Sequence, residues 1–381
     1  NQMLEYNKQL GNHNFGIMAA HESQESLWKN VGAGRTGFLT NDIFDLSAGD
    51  PLTSTTTGGS GEWAMESYFG RLNYNYDNRY ILVGTLRRDG SANFGAGKKW
   101  GLFPSVSAAW RVSQEAFFNV PFISELKLRA ETGLTGNQGG MAYIYSPMST
   151  APTGAGTGFL PGRYGNQNMQ WEETKTINFG LNLGLFKDRV NLEFDYYVKN
   201  TDNLIMEALL PWYMGTNGTG AVSPPGLNIG EMQNKGWGFT INTVNVNNGK
   251  FRWESSLNLS SFQTTVKKFN TGVASLDRVS WWLDNWTQRS IVGAAPWQFL
   301  GYVEEGLFQS IEEIQNSPVP VDNNGDRLPI DATNGLWVGD AKFRDINGDG
   351  KITDQDLTFI GNPWPKLFGG FTNTFSYKGF D

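Results

Sequence analysis

Cysteine is absent from the 381 residues. Disulfides, thiolate metal sites and cysteine nucleophiles are excluded together, a pattern that fits an envelope protein folding without covalent staples. Long apolar runs are missing too. No stretch approaches the 18 residues that read as a transmembrane helix, and mean hydropathy is only -0.40. A β-barrel escapes that test, because only alternate residues of its strands face lipid. Histidine is scarce: His13 and His21 share one early segment, with no serine or carboxylate constellation around them. No acid/nucleophile pair stands out for glycoside cleavage, and no enzyme is expected. Thirty Lys and Arg face 37 Asp and Glu, a net charge of -7 that argues against a nucleic-acid partner. An initiator methionine and a signal peptide are lacking as well. Asn1 opens directly into the alternating MLEYNKQL, so the chain reads as a piece of a longer protein.

Glycine and aromatic residues are plentiful. The 47 glycines amount to about 12% against an ordinary usage of about 7%, and aromatics make up 14%. They suit close strand packing, turns and interfacial girdles. In RVNLEFDYYVKN every second residue from Val190 to Val198 is apolar or aromatic, while Asn191, Glu193, Asp195, Tyr197 and Lys199 fall between. Such alternation makes a strand with one apolar and one polar face. It predicts strands near 1–10, 13–22, 63–76, 79–91, 100–112, 125–135, 169–186, 189–204, 230–246, 250–268 and 365–378, with a bulge or boundary fault between Ile241 and Val244.

The connections alternate in length. Gly11-Asn12, Asp77-Asn78, Lys187-Asp188 and Asn247-Asn248-Gly249 are tight turns of residues that tolerate turn dihedrals. Between them fall long connections at 23–62, 136–168, 205–229 and 269–364, the shorter 92–99, and a medium one at 113–124. Short turns on one side and long loops on the other are the rhythm of an outer-membrane barrel, periplasmic turns against extracellular loops. Tyr74, Tyr76, Tyr80, Phe186, Phe251, Trp253, Tyr377 and Phe380 flank the short turns as a girdle would. A large soluble β-sandwich is the alternative on pattern alone. Eleven strands would be half of the 22-stranded transporter class.

Six ordered segments carry a family resemblance: SYFGRLNYNYDNRYILVGTLRRDGSANFG (67–95), WGLFPSVSAAWRVSQEAFF (100–118), LKLRAETGLTGNQ (126–138), NIGEMQNKGWGF (228–239), FRDINGDGKITDQDLTFIGNPWP (343–365) and GGFTNTFSYKGFD (369–381). Together they resemble SusC/RagA-type TonB-dependent transporters of Bacteroidetes. The resemblance implies an all-β, 22-stranded outer-membrane barrel with about eleven strands in residues 1–381. The N-terminal plug domain, the TonB box and the remaining C-terminal strands would then lie elsewhere. It implies import of an oligosaccharide or a peptide, a SusD-like surface lipoprotein as partner, and energy from TonB–ExbB–ExbD. A passive porin-like channel and a soluble β-rich glycan-binding protein are the alternatives.

The sharpest local chemistry is Asp345-Ile-Asn347-Gly-Asp349-Gly-Lys351, closed by Asp356. Oxygen donors at positions 1, 3 and 5, glycine at 6, the Lys351 carbonyl at 7 and a carboxylate at 12 match an EF-hand-type calcium loop. Asp at position 12 reaches less far than Glu, and Gly361, Pro363 and Pro365 disfavour a flanking helix. A rigid Asn/Asp/Gly turn without metal is the alternative, and a bound ion would be structural. The surrounding loop 269–363 holds 14 Asp and Glu against 6 Lys and Arg, and five tryptophans. Trp281, Trp282 and Trp286 are candidates for contact with substrate or lipoprotein; packing within the loop is the alternative. Arg71, Lys127, Arg129, Glu131, Glu193 and Asp195 fall on the polar face, where they either line a transport path or pair with one another. Glu172-Glu173 reads as solvated charge.

Overall fold

A computed structural model describes every residue except 141–144, 155, 209, 216–220, 270–273 and 281–284. Eleven strands form one sheet in which ladder order follows chain order. They are β1 (Gln2–Leu10), β2 (His13–Gly34), β3 (Thr55–Tyr76), β4 (Tyr80–Ser91), β5 (Trp100–Arg111), β6 (Ile123–Asn137), β7 (Glu172–Leu185), β8 (Val190–Glu207), β9 (Gly226–Asn247), β10 (Phe251–Lys268) and β11 (Phe368–Tyr377). Every described register among them is antiparallel. The chain divides into two compact units, Asn1–Gly180 with Thr201–Asn228 and Leu181–Asn200 with Ile229–Asp381.

The short turns take left-handed backbone angles. Asp77 and Asn78 have φ of 52° and 53°, and Phe186, Lys187 and Asp188 lie between 55° and 61°. Two consecutive positive-φ residues match the right-handed twist of the strands they join, and Asn and Asp tolerate the region best. The predicted irregularity after Ile241 is a register shift between Val244 and Val246.

In the first unit the register sorts residues onto two faces. The pairs Leu72↔Gly84, Leu86↔Pro104 and Val106↔Thr132 share one face. That face is apolar and open: Leu86, Leu102 and Phe179 each expose more than half their surface. In water such a surface would be an association hazard; against hydrocarbon it is satisfied. At its short-turn end Tyr80 Oη and Trp110 Nε1 donate to the Glu115 carboxylate at 2.6 and 2.9 Å. These bonds, helped by Arg79, hold the Glu115 carboxyl below its usual range. In the second unit Phe239↔Leu259, Ile241↔Leu257, Leu257↔Phe371 and Trp253↔Phe375 form the corresponding apolar face.

The predicted loop 23–62 is shorter than expected. β2 and β3 pair without interruption from His13↔Tyr76 to Gly34↔Thr55. The extension lacked apolar alternation because both its faces meet solvent. Glycine at 61 leaves room for the Trp28 indole, which lies across it. Arg35 closes the tip by donating to Ser54 Oγ and to the Ser47 carbonyl.

Buried apolar residues gather only locally. In the first unit Phe94, Phe103, Met169 and Trp171 pack together at the long-connection end. In the second, Phe308, Ile314, Val319 and Leu336 form the small core of the long excursion, around α1 (Ile311–Asn316). Ser310 caps α1 by accepting from Glu313 N. The excursion also contains a four-stranded sheet of Ser275–Ser280, Asn285–Ile291, Gln298–Gly301 and Thr358–Gly361.

Candidate functional site

The polar face of the first unit carries its charged network. Arg87 on β4 donates from Nε to both Asp89 carboxylate oxygens, at 2.7 and 2.8 Å, and from an Nη to Ser67 Oγ at 2.9 Å. Glu22 lies 3.7 Å from the same guanidinium, which also stacks on the Phe69 ring at 4.9 Å. Strand pairing explains the cluster: Ser67↔Asp89 and Phe69↔Arg87 are opposite neighbours. Beside it a cavity of about 510 Å³ is lined by Thr85, Arg87, Asp89, Ser105, Ser107 and Glu131, among others. Glu131 accepts from Asn178 Nδ2 at 2.9 Å. Arg71 Nε donates to Asn73 Oδ1 at 3.0 Å. The cavity is of mixed character, with Val83, Phe103 and Leu134 beside the hydroxyls, and its cation is already paired.

The long-connection end of the same unit is knitted by side chains that sequence reading passed over. Trp171 Nε1 donates to the Lys99 carbonyl at 3.1 Å and its ring packs on Phe94 and Phe103. Gln138 Oε1 collects donors from Trp63, Ser91 and Asn93. Glu172 corrects its reading as solvated charge: it is 8% exposed and accepts from Asn137 Nδ2 at 2.6 Å and Ile205 N at 2.8 Å. Its burial comes from residues distant in sequence, and no local pattern announces it.

The 345–356 loop closes on its own main chain. Asp345 accepts from Gly348 N and Gly350 N, and Asp349 Oδ1 from Lys351 N. Asn347 Oδ1 accepts from Asp349 N, and Lys351 Nζ donates to the Gly325 carbonyl. Asp356 is fully enclosed, with one oxygen on Ile346 N and Asn347 N and the other on Thr353 N. Burial by itself would raise its carboxyl, but the N–H donors of Thr353, Ile346 and Asn347 outweigh that and hold it below the ordinary range. Positive φ at Gly348 and Gly350, 76° and 82°, makes the curl. Among the described residues no three His, Cys, Asp or Glu side chains group to hold a metal ion. The position-12 carboxylate of Asp356 is engaged with these main-chain N–H groups.

Trp281 and Trp282 lie outside the described residues. Trp286 lies on the strand Asn285–Ile291, its backbone opposite Val279. The histidines stay apart in role: His13 Nδ1 contacts Tyr74 Oη at 2.9 Å, whereas His21 bridges Gln2 and Glu66.

Two-faced strands joined alternately by short left-handed turns and long knitted connections make an open eleven-stranded antiparallel sheet, and the comparisons define its class as a β-barrel of the Gram-negative outer membrane. The family model of the TonB dependent receptor-like β-barrel matches residues 1–339. The chain belongs to that family, one of receptors and transporters rather than enzymes. It is 35% identical over 389 residues to TonB-dependent receptor P26 of Formosa agariphila, covering 99% of this chain and 37% of that protein. It is 30% identical over 401 residues to TonB-dependent receptor SusC of Bacteroides thetaiotaomicron, covering 100% and 36%. The RagAB peptide importer in its 'closed-closed' state matches the fold with a TM-score of 0.78 at 22% identity, over 99% of this chain and 39% of that one. The chain thus spans little more than a third of these relatives.

Proposed function

We propose that the chain is the strand-and-loop wall of an outer-membrane importer that takes up an oligosaccharide or a peptide, energised by TonB–ExbB–ExbD and working with a SusD-like lipoprotein. The observation that carries this reading is the match of nearly the whole chain to SusC and, in fold, to a chain of the RagAB peptide importer. The cavity beside Arg87, lined by Thr85, Ser105, Ser107 and Thr135 as well as by apolar Phe103 and Leu134, is compatible with cargo that has both hydrogen-bonding and apolar surfaces. The test is uptake by cells expressing the intact protein, offered labelled oligosaccharides and peptides in parallel, with and without a protonophore. Energy-dependent accumulation of one class supports the reading. Uptake that ignores the protonophore would instead indicate the passive channel.

The same proposal places calcium at Asp345, Asn347, Asp349, the Lys351 carbonyl and Asp356, as a structural ion. Binding would require Asp356 to give up its N–H donors, so a calcium titration followed through the amides of Ile346, Asn347 and Thr353 tests it directly. Contact with cargo or lipoprotein is likewise proposed for Trp281, Trp282 and Trp286. Their substitution by alanine should weaken cargo or lipoprotein binding without changing barrel assembly.

A further inference from the structure

The polar face of the first unit carries a second groove, toward the short turns from Arg87. Register sets two rows across three strands: Asn7↔Gly16↔Asn73 and Gln9↔Asn14↔Asn75. Asn73 and Asn75 alternate with Leu72 and Tyr74 of the apolar face, so the rows point to the opposite side. The Asn7 and Asn73 side chains flank Gly16, whose missing side chain leaves the space between them open. Val83 and Ile81 of β4 extend the two rows, and the groove they line with Arg71 measures about 680 Å³. Lys8, Phe15 and Tyr74 also border it. They are the intervening residues of the strands, and the Phe15 and Tyr74 rings meet on the apolar face at 5.0 Å.

The carboxamides of Asn7, Gln9, Asn14, Asn73 and Asn75 all line this groove, and each has hydrogen-bonding capacity to spare. Among the described residues Asn7 and Gln9 are bonded only through nitrogen, to Glu5 at 2.9 Å and to the Gly11 carbonyl at 3.3 Å. Asn73 is bonded only through oxygen, by Arg71. The Asn14 carboxamide has no partner among the described residues. Asn75 donates to Asn78 Oδ1 at 2.8 Å, while its own oxygen is buried and accepts nothing. A buried acceptor without a donor is costly and rare, and an incoming N–H would satisfy it.

A peptide main chain answers this pattern chemically. A carboxamide offers both donor and acceptor, and a peptide bond offers both in return. Residues two apart on a strand lie about 6.6 Å apart on one face, and an extended peptide repeats its outward groups with the same period. Uncharged carboxamides do not discriminate between acidic and basic side chains, while Ile81 and Val83 offer apolar ones a surface. We propose that these two rows grip the main chain of an extended peptide irrespective of its sequence, as an exit subsite at the short-turn, periplasmic end of the wall. The proposal rests on the importer reading and selects peptide over oligosaccharide as its cargo.

The test uses the intact protein in mild detergent, with a photo-crosslinking amino acid in place of Ile81, beside Asn75. The probes are labelled decapeptides of unrelated sequence, the same peptides methylated on their main-chain nitrogens, and a labelled maltodextrin. Unmodified peptides of every sequence should be captured, methylated ones at least tenfold less, and maltodextrin not at all. Asn73→Leu with Asn75→Leu should lower peptide capture at least tenfold, with heat-modifiable migration in gels confirming a folded barrel. The same crosslinker in place of Leu82, on the apolar face, should capture no peptide. Should the double variant fail to assemble, methylated against unmodified peptide on the unsubstituted rows decides alone. Equal capture of both peptide forms, equal capture of maltodextrin, or a crosslink to the protein's own polypeptide in place of the peptide would overturn the proposal. Peptides that cells accumulate but position 81 never captures would overturn it too, while leaving the importer standing. Peptide capture without energised uptake would keep the site and remove the importer.

Discussion

Asp356 shows how much one side chain holds. Its two oxygens gather three main-chain N–H groups inside the 345–356 loop. Asp356→Ala would strand these donors at a cost of about 1–3 kcal/mol, read as faster hydrogen exchange at Ile346, Asn347 and Thr353 while the strands keep their protection. The pH dependence has a definite sign. A carboxyl held below its unfolded value stabilises above that value, near 3.9, and the contribution fades as pH falls through the depressed one. Glu313, Asp322 and Asp331 in the same excursion are shifted in the same direction, each mainly by main-chain donors. Proteolytic sensitivity of 302–364 should therefore rise below about pH 4 and be flat from there to neutrality; a transition near pH 6 would point to other groups. Arg87 offers a second test. Arg87→Met removes the donors of Asp89 and Ser67, both buried, and should lower stability by about 1–3 kcal/mol in a urea titration. Arg87→Lys should recover only part, because a point charge cannot reproduce the fork. The residue types at 345–356 were legible as an oxygen-rich turn. That their oxygens face the turn's own main chain was not, since the same residues serve either a cation or a backbone.

Strands were legible where they cross the apolar band and illegible where they leave it. Between Leu72 and Tyr80 or between Leu102 and Trp110, alternation and turn residues identify both element and face. In Gly58-Gly59-Ser60-Gly61 neither does, because a ribbon wetted on both sides has no face to encode. The two faces predict opposite responses to charge. Val106→Arg, on the apolar face opposite Thr132, should cost about 2–4 kcal/mol of barrel stability. Ser107→Arg, one residue away and opposite Glu131, should change it by less than about 1 kcal/mol. Equal effects in a lipid-vesicle folding titration would reverse the face assignment. At the turn, Asn78→Val places a β-branched residue at φ 53° and should cost about 1–2 kcal/mol, visible as slower appearance of the heat-modifiable folded band.

At the scale of the whole molecule, the proposed importer predicts what the intact protein brings with it. Extracted in detergent, the main subunit should be far heavier than the 42.3 kDa of this chain and should co-purify with a surface lipoprotein. A lone subunit of that mass would remove the energised importer from consideration. The all-β class, the two faces and the polarity of the connections were legible in local spacing, period two in the strands and left-handed residues at the turns, and the family in the resemblance of six ordered segments. Only the tertiary structure decided which side chains meet. Register brings Arg87 to Ser67 and Glu22, fold-back buries Glu172 against β6 and β8, and the return of the chain after its long excursion brings the Lys366 carbonyl to the Ser261 hydroxyl. Those meetings depend on ladder register and loop closure between distant segments, and neither leaves a mark in the residues on either side.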